Sequence, residues 1–467
     1  IKYSRPQLNF RSWLFEPETE NKLSGENLTN VFKDSYGYLW VSSTSGGIER
    51  INLNTGTITR IELPADFHVY TDPSRGNNIY QLDKQTFLLA YDSAVFTYNL
   101  KQDSFEFITK VDRHVRQVKK GDNGKFYLVA SNSLYMLRYK NRTLIVEDKF
   151  IGGTDNKQFL SNWDIDSIGD KLLLGQRSGL TLIDKNDMSD FETYVPDGAE
   201  KLPYVLCVSP VRNGLVWIGT IRSGIYAFDM AKKQFVSHFD VKDGLIDNSV
   251  NAIFEDDKGN LWVSTWKGIA KVSPETGEIK NYNTVHGLPF TEFNSQVYFK
   301  DGEGNMYFGG IGGLTSFYPE KIIYDSVAPK VVFTELTVLN KKVNVGEEIN
   351  GNIILKSNLN HADEITLTHR EKIFSIGLSV LHFVKPENNV FSYKLEGFDD
   401  EWTNVESTRR FVTYTNLPSG EYMFLIRGAN YNGVWTQQNR QLKIIVLPPF
   451  CKSWWFNSLT ILFIGIL

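Results

Sequence analysis

The sequence predicts an all-β protein: a seven-bladed β-propeller, then an immunoglobulin- or fibronectin-like β-sandwich, then the start of a transmembrane helix. Three observations carry this reading. A unit of roughly 45 residues recurs along the first two thirds of the chain. The period stops after Pro329, where short strand-like segments follow at closer spacing. Residues 454–467 are almost wholly apolar. The expected boundaries are residues 1–323 for the propeller, 324–448 for the sandwich and 449–467 for the juxtamembrane segment and truncated helix.

The clearest unit is residues 248–272, and residues 30–51 are its relative. Both contain Asp-x-x-Gly-x-Leu-Trp-Val-Ser, at Asp256 to Ser264 and at Asp34 to Ser42. Weaker copies surround Tyr127, Leu173, Trp217 and Tyr307, and the copy around Leu88 has lost its Asp-Gly turn. The central large residues, Trp40, Leu88, Tyr127, Leu173, Trp217, Trp262 and Tyr307, are spaced by 48, 39, 46, 44, 45 and 45. Each unit reads as four short strands. The first ends in an Asp-x-x-Gly turn, in which the carboxylate bonds its own backbone and glycine supplies positive φ. Four strands per unit at this period describe propeller blades, with an open solenoid as the alternative. The last unit holds three strands before Pro319, and the alternating segment 8–15 can supply the fourth, closing the ring and removing exposed edges.

Beyond Pro329, strand candidates run over residues 330–339, 364–367, 373–378, 391–395, 411–414, 421–429 and 441–447. Seven short strands in this space fit a sandwich. With no cysteine pair to staple it, aromatic packing must hold its core. As a helix, residues 454–467 would extend about 21 Å, short of a ~30 Å hydrocarbon core, so the expectation is a membrane helix cut midway. Trp454 and Trp455 would then be interfacial anchors. A C-terminal core helix or strand is the alternative. Ile1 is not an initiator, and an upstream segment is expected.

Composition narrows the function classes. Hydrophobic residues at 41% and charged residues at 22% exclude a disordered chain. With 50 Lys+Arg against 54 Asp+Glu, the net charge is −4 and no long basic cluster exists, which argues against direct nucleic-acid binding. Cys207 and Cys451 form neither a disulfide framework nor a zinc pair. The seven histidines show no ligand spacing, and residues 301–305 read as a hairpin rather than a calcium loop, so no metal or cofactor is expected.

The repeat resembles the two-component-regulator propeller repeat. Residues 393–402 (Tyr-Lys-Leu-Glu-Gly-Phe-Asp-Asp-Glu-Trp), with 414–422, 427–435 and 447–456, resemble the triple-tyrosine (YYY) domain that follows such propellers. The resemblance covers essentially the whole chain. It implies the periplasmic region of a Bacteroidetes-type hybrid two-component sensor of the inner membrane, detecting glycan breakdown products. Such sensors carry cytoplasmic histidine kinase, receiver and often DNA-binding modules for transcription control. A homodimer is the expected assembly. Many members carry two propellers and this sequence holds one; Cys451 stands where the family usually has Trp. The kinase modules are absent, so this chain is not expected to be an enzyme. The alternative function is a membrane-anchored adhesion or scaffold protein that binds another protein.

Catalysis finds little support. Sialidase chemistry would need an arginine cluster and a Tyr-Glu pair, and only Arg177 and Arg222 occupy equivalent loops of successive units. Carboxylate pairs such as Asp256-Asp257 and Asp399-Asp400 lie in turns. Binding is better supported. Loops from second to third strand and from fourth to the next first strand share one face, and an oligosaccharide needs aromatic faces with planar polar partners. The first set brings Asp92, Asn132, Arg177, Arg222, Trp266 and Lys267 to the channel mouth. The second adds Asn78, His114, Trp163, Tyr204, Asn248 and Asn294. Of these, Arg177, Arg222, Trp266, Lys267, Asn248, Trp163, Tyr204 and Asn132 are the candidate ligand-binding residues. Arg177 and Arg222 are read as an anion-binding pair, and Trp266 as a ligand contact unless it packs on Phe290 or a neighbouring loop. The rings Tyr393, Tyr414 and Tyr422 are read as core or hairpin packing.

Overall fold

The computed structural model describes residues 10–449, apart from residues 17, 18, 20, 45, 46, 65–76, 112, 113, 152–161, 178, 197–203, 211, 407 and 408. The expected helix at 454–467 lies outside the described residues, and among these no helix is long and apolar enough to cross a membrane. The chain divides into two compact units between Ile322 and Ile323.

The first unit is a ring of seven four-stranded antiparallel sheets. Their first strands, in blades I to VII, are Leu28–Lys33, Asn77–Gln81, Val115–Lys120, Asn162–Ile168, Val205–Pro210, Val250–Glu255 and Phe293–Lys300. Each first strand packs beside those of the preceding and following blades, and that of blade VII meets that of blade I, so the circle is complete. Blade VII is built as the sequence predicts. Phe293–Lys300, Met306–Gly310 and Gly313–Phe317 are joined by Arg11–Leu14 from the start of the chain. Arg11 faces Ser316 and Leu14 faces Gly313. Trp13 is buried there and stacks on Tyr307, with ring centroids 6.4 Å apart.

The spacing of Asp and Trp in the repeat has a direct cause. Asp256 Oδ1 accepts the backbone N–H groups of Lys258 and Asn260, both at 2.9 Å, while Oδ2 accepts the Trp262 indole N–H at 3.0 Å. Asp34 does the same for Tyr36, Tyr38 and the Trp40 indole, and also takes Arg50 at 3.2 Å. One carboxylate thus closes the hairpin and satisfies a buried indole, which would otherwise carry a desolvation penalty. Burial raises the Asp256 pKa, but hydrogen bonds from Asn260, Trp262 and the turn outweigh it and hold the carboxyl below its ordinary value. In blade V the position six residues before Trp217 is Val211, and the Trp217 ring stacks on Phe239 at 6.0 Å. Blade II, without the Asp-Gly pair, keeps a tighter turn in which Asp83 Oδ1 accepts the Gln85 and Thr86 N–H groups at 2.8 Å.

Close blade packing explains the glycine in the second strand. A Cβ on Gly219 would lie 2.5 Å from both Cys207 Sγ and a Val250 methyl of the next blade. Polar side chains stitch the first strands together around the channel. Asn30 donates to Asn78 Oδ1 and Asn78 to the Val115 carbonyl, both at 3.3 Å. Asn251 donates to Phe293 O at 2.7 Å, and Asn294 to Leu28 O at 2.7 Å.

The second unit is a sandwich. One sheet has the order Lys341–Lys342, Lys330–Val338, Ile373–Leu381, Phe411–Thr415. The other runs Glu364–Thr368, Arg440–Leu447, Gly420–Ala429, Val390–Glu396, Thr403–Glu406, with the first pair parallel. All seven expected strands are present; Thr403–Glu406 and the two-residue strands Lys341–Lys342, Glu348–Ile349 and Asn352–Ile353 had no sequence signal. The Tyr422 hydroxyl donates to Pro418 O at 2.9 Å, a tyrosine-corner arrangement, and Tyr414 donates to Asp399 at 2.8 Å. Tyr393 and Tyr414 pack on Phe424, each with ring centroids 6.2 Å apart. The three tyrosines therefore serve the core and its hairpins.

Replacing Asp256 with Ala leaves the Trp262 indole and two turn N–H groups without their acceptor. The expected loss is about 2–3 kcal/mol in urea unfolding. An unchanged midpoint contradicts the role given to the carboxylate.

Candidate functional site

Both loop sets lie on one face of the ring, as backbone hydrogen bonds between them show. Ile221 N–H donates to Tyr204 O at 3.0 Å, Gly224 N–H to Asn248 O at 2.8 Å, and Val115 N–H to Asp92 O at 2.7 Å. On this side, five first strands begin with a one-residue bulge. The extra residues are Thr29, Arg116, Trp163, Leu206 and Asn251. A bulge re-aims the extra side chain and sharpens strand twist.

Two of these side chains start a ladder along the mouth. The Arg116 guanidinium lies 4.2 Å from the Trp163 ring centroid. Trp163 meets Tyr204 edge-on at 6.4 Å, and Arg177 lies 4.9 Å from the Tyr204 centroid. The order is Arg116, Trp163, Tyr204, Arg177, from blade III to the entry of blade V. Each cation–π contact is worth about 0.5–2 kcal/mol and helps to hold its ring in place. Beside the ladder is a cavity of about 350 Å³, lined by Asn27, Asn78, His114, Arg116, Asn294 and Gln296, with Thr29 and Ser295 hydroxyls.

A second cavity, of about 380 Å³, lies further along the channel, lined by Asn30, Gln117, Lys119, Asp164, Tyr298 and Lys300 among others. Two side chains of blade VII cross the channel to blade IV between them. Gln296 Nε2 donates to the Trp163 carbonyl, and the Tyr298 hydroxyl donates to Asp164 Oδ2. Asp164 also accepts the Val208 and Ile165 N–H groups, both at 2.9 Å. Burial pushes the Asp164 carboxyl up to about 6 in spite of the Tyr298 and Val208 hydrogen bonds, and the nearby Asp166 charge adds to the rise. Asp166 is itself paired with Lys119 at 2.6 Å. Burial, reinforced by the Asp164 charge, likewise raises the pKa values of Tyr298 and Cys207.

The structure brings three sequence-predicted residues, Trp163, Tyr204 and Arg177, into one cluster. Asn78, His114 and Asn294 of the second loop set line the adjoining cavity. The others stand apart from the ladder's ring contacts. Arg222 is exposed at φ 68° in the turn whose backbone bonds Tyr204 O. Lys267 pairs with Asp247 at 3.3 Å. Asn248 Oδ1 accepts the Val241 N–H at 2.9 Å and so holds its own loop. Asn132 is half-buried in the turn before Ser133. Trp266 is 43% exposed, and Phe290 packs on Phe293 at 5.2 Å. Sequence reasoning missed Arg116, Gln296 and the Tyr298–Asp164 crossing. The spacing of 45 residues into blade VII equals that into blade VI, so nothing in the repeat signalled Gln296.

Among the described residues no group of three His, Cys, Asp or Glu side chains is placed to hold a metal ion. Asp301, in the segment with a faint calcium-loop look, accepts the Glu303 and Asn305 N–H groups and Lys33 Nζ at 3.0, 2.9 and 2.7 Å, which is hairpin geometry.

Raising the Asp164 pKa above its unfolded value of about 3.9 means that the folded state binds this proton more tightly. Its stabilising contribution is full below about pH 4 and is lost as pH rises through about 6. Urea midpoints across this window should fall with rising pH by an amount on the order of 3 kcal/mol. Asp164→Asn should remove this component; an identical pH profile in the variant contradicts the assignment.

Comparison with known proteins agrees with the repeat and the sandwich. The family described as two component regulator propeller matches residues 244–267, and the Y_Y_Y domain matches residues 382–447. A curated relative from Formosa agariphila, named Histidine kinase P4, is 29% identical over 306 residues, covering 63% of this chain and 21% of the relative. Among solved structures, the extracellular domain of a hybrid two component system from B. thetaiotaomicron superposes with TM-score 0.75 at 23% identity. That match covers 94% of this chain and 58% of the other. The WD40 β-propeller domain of Doa1 matches with TM-score 0.50 at 13% identity, covering 67% of this chain and 98% of that one. The chain thus spans about a fifth of the curated relative and under two thirds of the first of these structures.

Proposed function

We propose that this chain, which carries a two-component-regulator propeller and a Y_Y_Y domain, is the extracytoplasmic ligand-sensing region of a membrane-bound hybrid two-component regulator. The relative named as a histidine kinase and the extracellular domain of a hybrid system support that reading. In it, the region faces the periplasm from the inner membrane, a helix follows the sandwich, and a cytoplasmic kinase in the parent protein controls transcription. The chain itself binds and does not catalyse, and it binds no nucleic acid.

The observation that carries the ligand class is the mouth of the ring. Arg116, which lies over the Trp163 ring, also lines a cavity of amides and hydroxyls, and Arg177 lies over the Tyr204 ring that meets Trp163. Planar amides and guanidinium groups bond sugar hydroxyls in pairs, and ring surfaces cover C–H faces. The ligand is an oligosaccharide. In a homodimer, its differential affinity for two arrangements shifts their populations. The sandwich passes the change through Pro448 and Pro449, whose fixed φ makes the junction stiff.

Isothermal titration of residues 1–447 against plant and host oligosaccharides should give binding without product formation. Arg177→Ala should weaken it by about tenfold. The same substitution at Arg222 and at Trp266 shows whether those residues share the ligand; unchanged affinity removes them. In the full-length parent, a Gly-Ser segment inserted after Leu447 is expected to leave binding intact and abolish kinase output. Full signalling with the insert contradicts rigid transfer.

A further inference from the structure

The first strand of blade VII departs from those of the other blades. Phe293 faces Gly310 and Tyr298 faces Phe308, so five steps along the first strand oppose two on its neighbour. In the five other bulged first strands two steps oppose one. The inserted residues span the mouth. Asn294 Nδ2 donates to Leu28 O and Asn27 Oδ1 of blade I at 2.7 and 2.6 Å, and Gln296 Nε2 reaches the Trp163 carbonyl of blade IV. Gln296 sits at φ 69°, a region that disfavours any residue with a Cβ, and such conformations concentrate where ligands are held. Within the ladder, the Trp163 indole N–H is buried and has no hydrogen-bond acceptor among the described residues.

Resting on the sugar-sensing reading above, we infer that residues 294–297 are the ligand-reading element of the mouth, and that a saccharide hydroxyl inserts between the Gln296 amide and the Trp163 carbonyl. The chemistry of the gap selects that group. Whatever enters an N–H···O=C bond without leaving a partner unsatisfied must accept from the amide and donate to the carbonyl. A hydroxyl does both, a carboxylate only accepts, and an alkyl group does neither. The Trp163 indole N–H then needs an acceptor, which the oxygen of a neighbouring hydroxyl supplies. Asn78 and Asn294 border the same cavity with further amides. Vicinal hydroxyls, as on a sugar ring, meet these requirements together. Insertion also lengthens the link from blade VII to blade IV, leaving Tyr298–Asp164 as the remaining crossing.

The test is hydrogen exchange of the whole chain with cellotriose, xylotriose, laminaritriose and chitotriose at millimolar concentration, followed by calorimetry of those that act. At least one should change exchange in residues 293–298 and 162–168. Gln296→Gly, which suits the positive φ and keeps the fold, and Trp163→Phe, which keeps the ring without the N–H, should each weaken binding about tenfold. Wild-type affinity in both variants overturns the inference. So does exchange that changes only at other loops, which leaves the sensing reading standing. No change anywhere with any of the four removes both.

Discussion

The pairing of Arg11–Leu14 with Gly313–Phe317 is the constraint on which the ring depends. Without it, blade VII has three strands, its outer edge is unpaired, and the apolar cluster it shares with blade I loses Trp13. Segments some 300 residues apart in sequence must meet, so one large closure entropy opposes the packing of all seven blades together. Trp13 stacks on Tyr307 within blade VII, and both belong to the apolar cluster that includes Leu28, Val31 and Leu39 of blade I. The polar part of the seam is further in, where Asn294 bonds Leu28 O between the same two blades. Residues 294–297 span the mouth only because blade VII is held in register by both.

Inside this apolar ring the channel wall is polar, and the polar groups are directional. Asn30, Asn78, Asn251 and Asn294 each donate to a neighbouring blade. Such side chains specify the angle between blades more sharply than aliphatic packing does, because a buried amide carries a large penalty if its partner moves away. The two crossings from blade VII to blade IV are of another kind. They join blades on opposite sides of the ring, and one ends on a buried carboxyl. In the proposed mode of binding, a ligand at the mouth would touch the upper crossing directly and the lower one through the strand Phe293–Lys300.

Much of the fold was legible in the sequence because the repeat encodes its own chemistry. Asp256 and Trp262, six residues apart, are one hydrogen-bonded unit, and so are Asp34 and Trp40. The strand that closes blade VII showed as an alternating segment left over before the first repeat. The triple-tyrosine sandwich showed through Tyr414 and Tyr422, whose hydroxyls close hairpins. The candidate site was only partly legible. Loop counting placed Trp163, Tyr204 and Arg177 on one face, and they meet. It could not find Arg116, because a residue inside a predicted strand points into the mouth only once a bulge re-aims it. Nor could it see Gln296 and Tyr298 reaching across the ring, since a blade-by-blade pattern carries no information about non-adjacent blades.

The measurement that tests the account most directly is a crystal structure of the chain with a bound oligosaccharide. The account predicts the sugar seated between Trp163 and Asn294, with Arg177 still on Tyr204. A sugar bound on the opposite face of the ring, or on the sandwich, contradicts it.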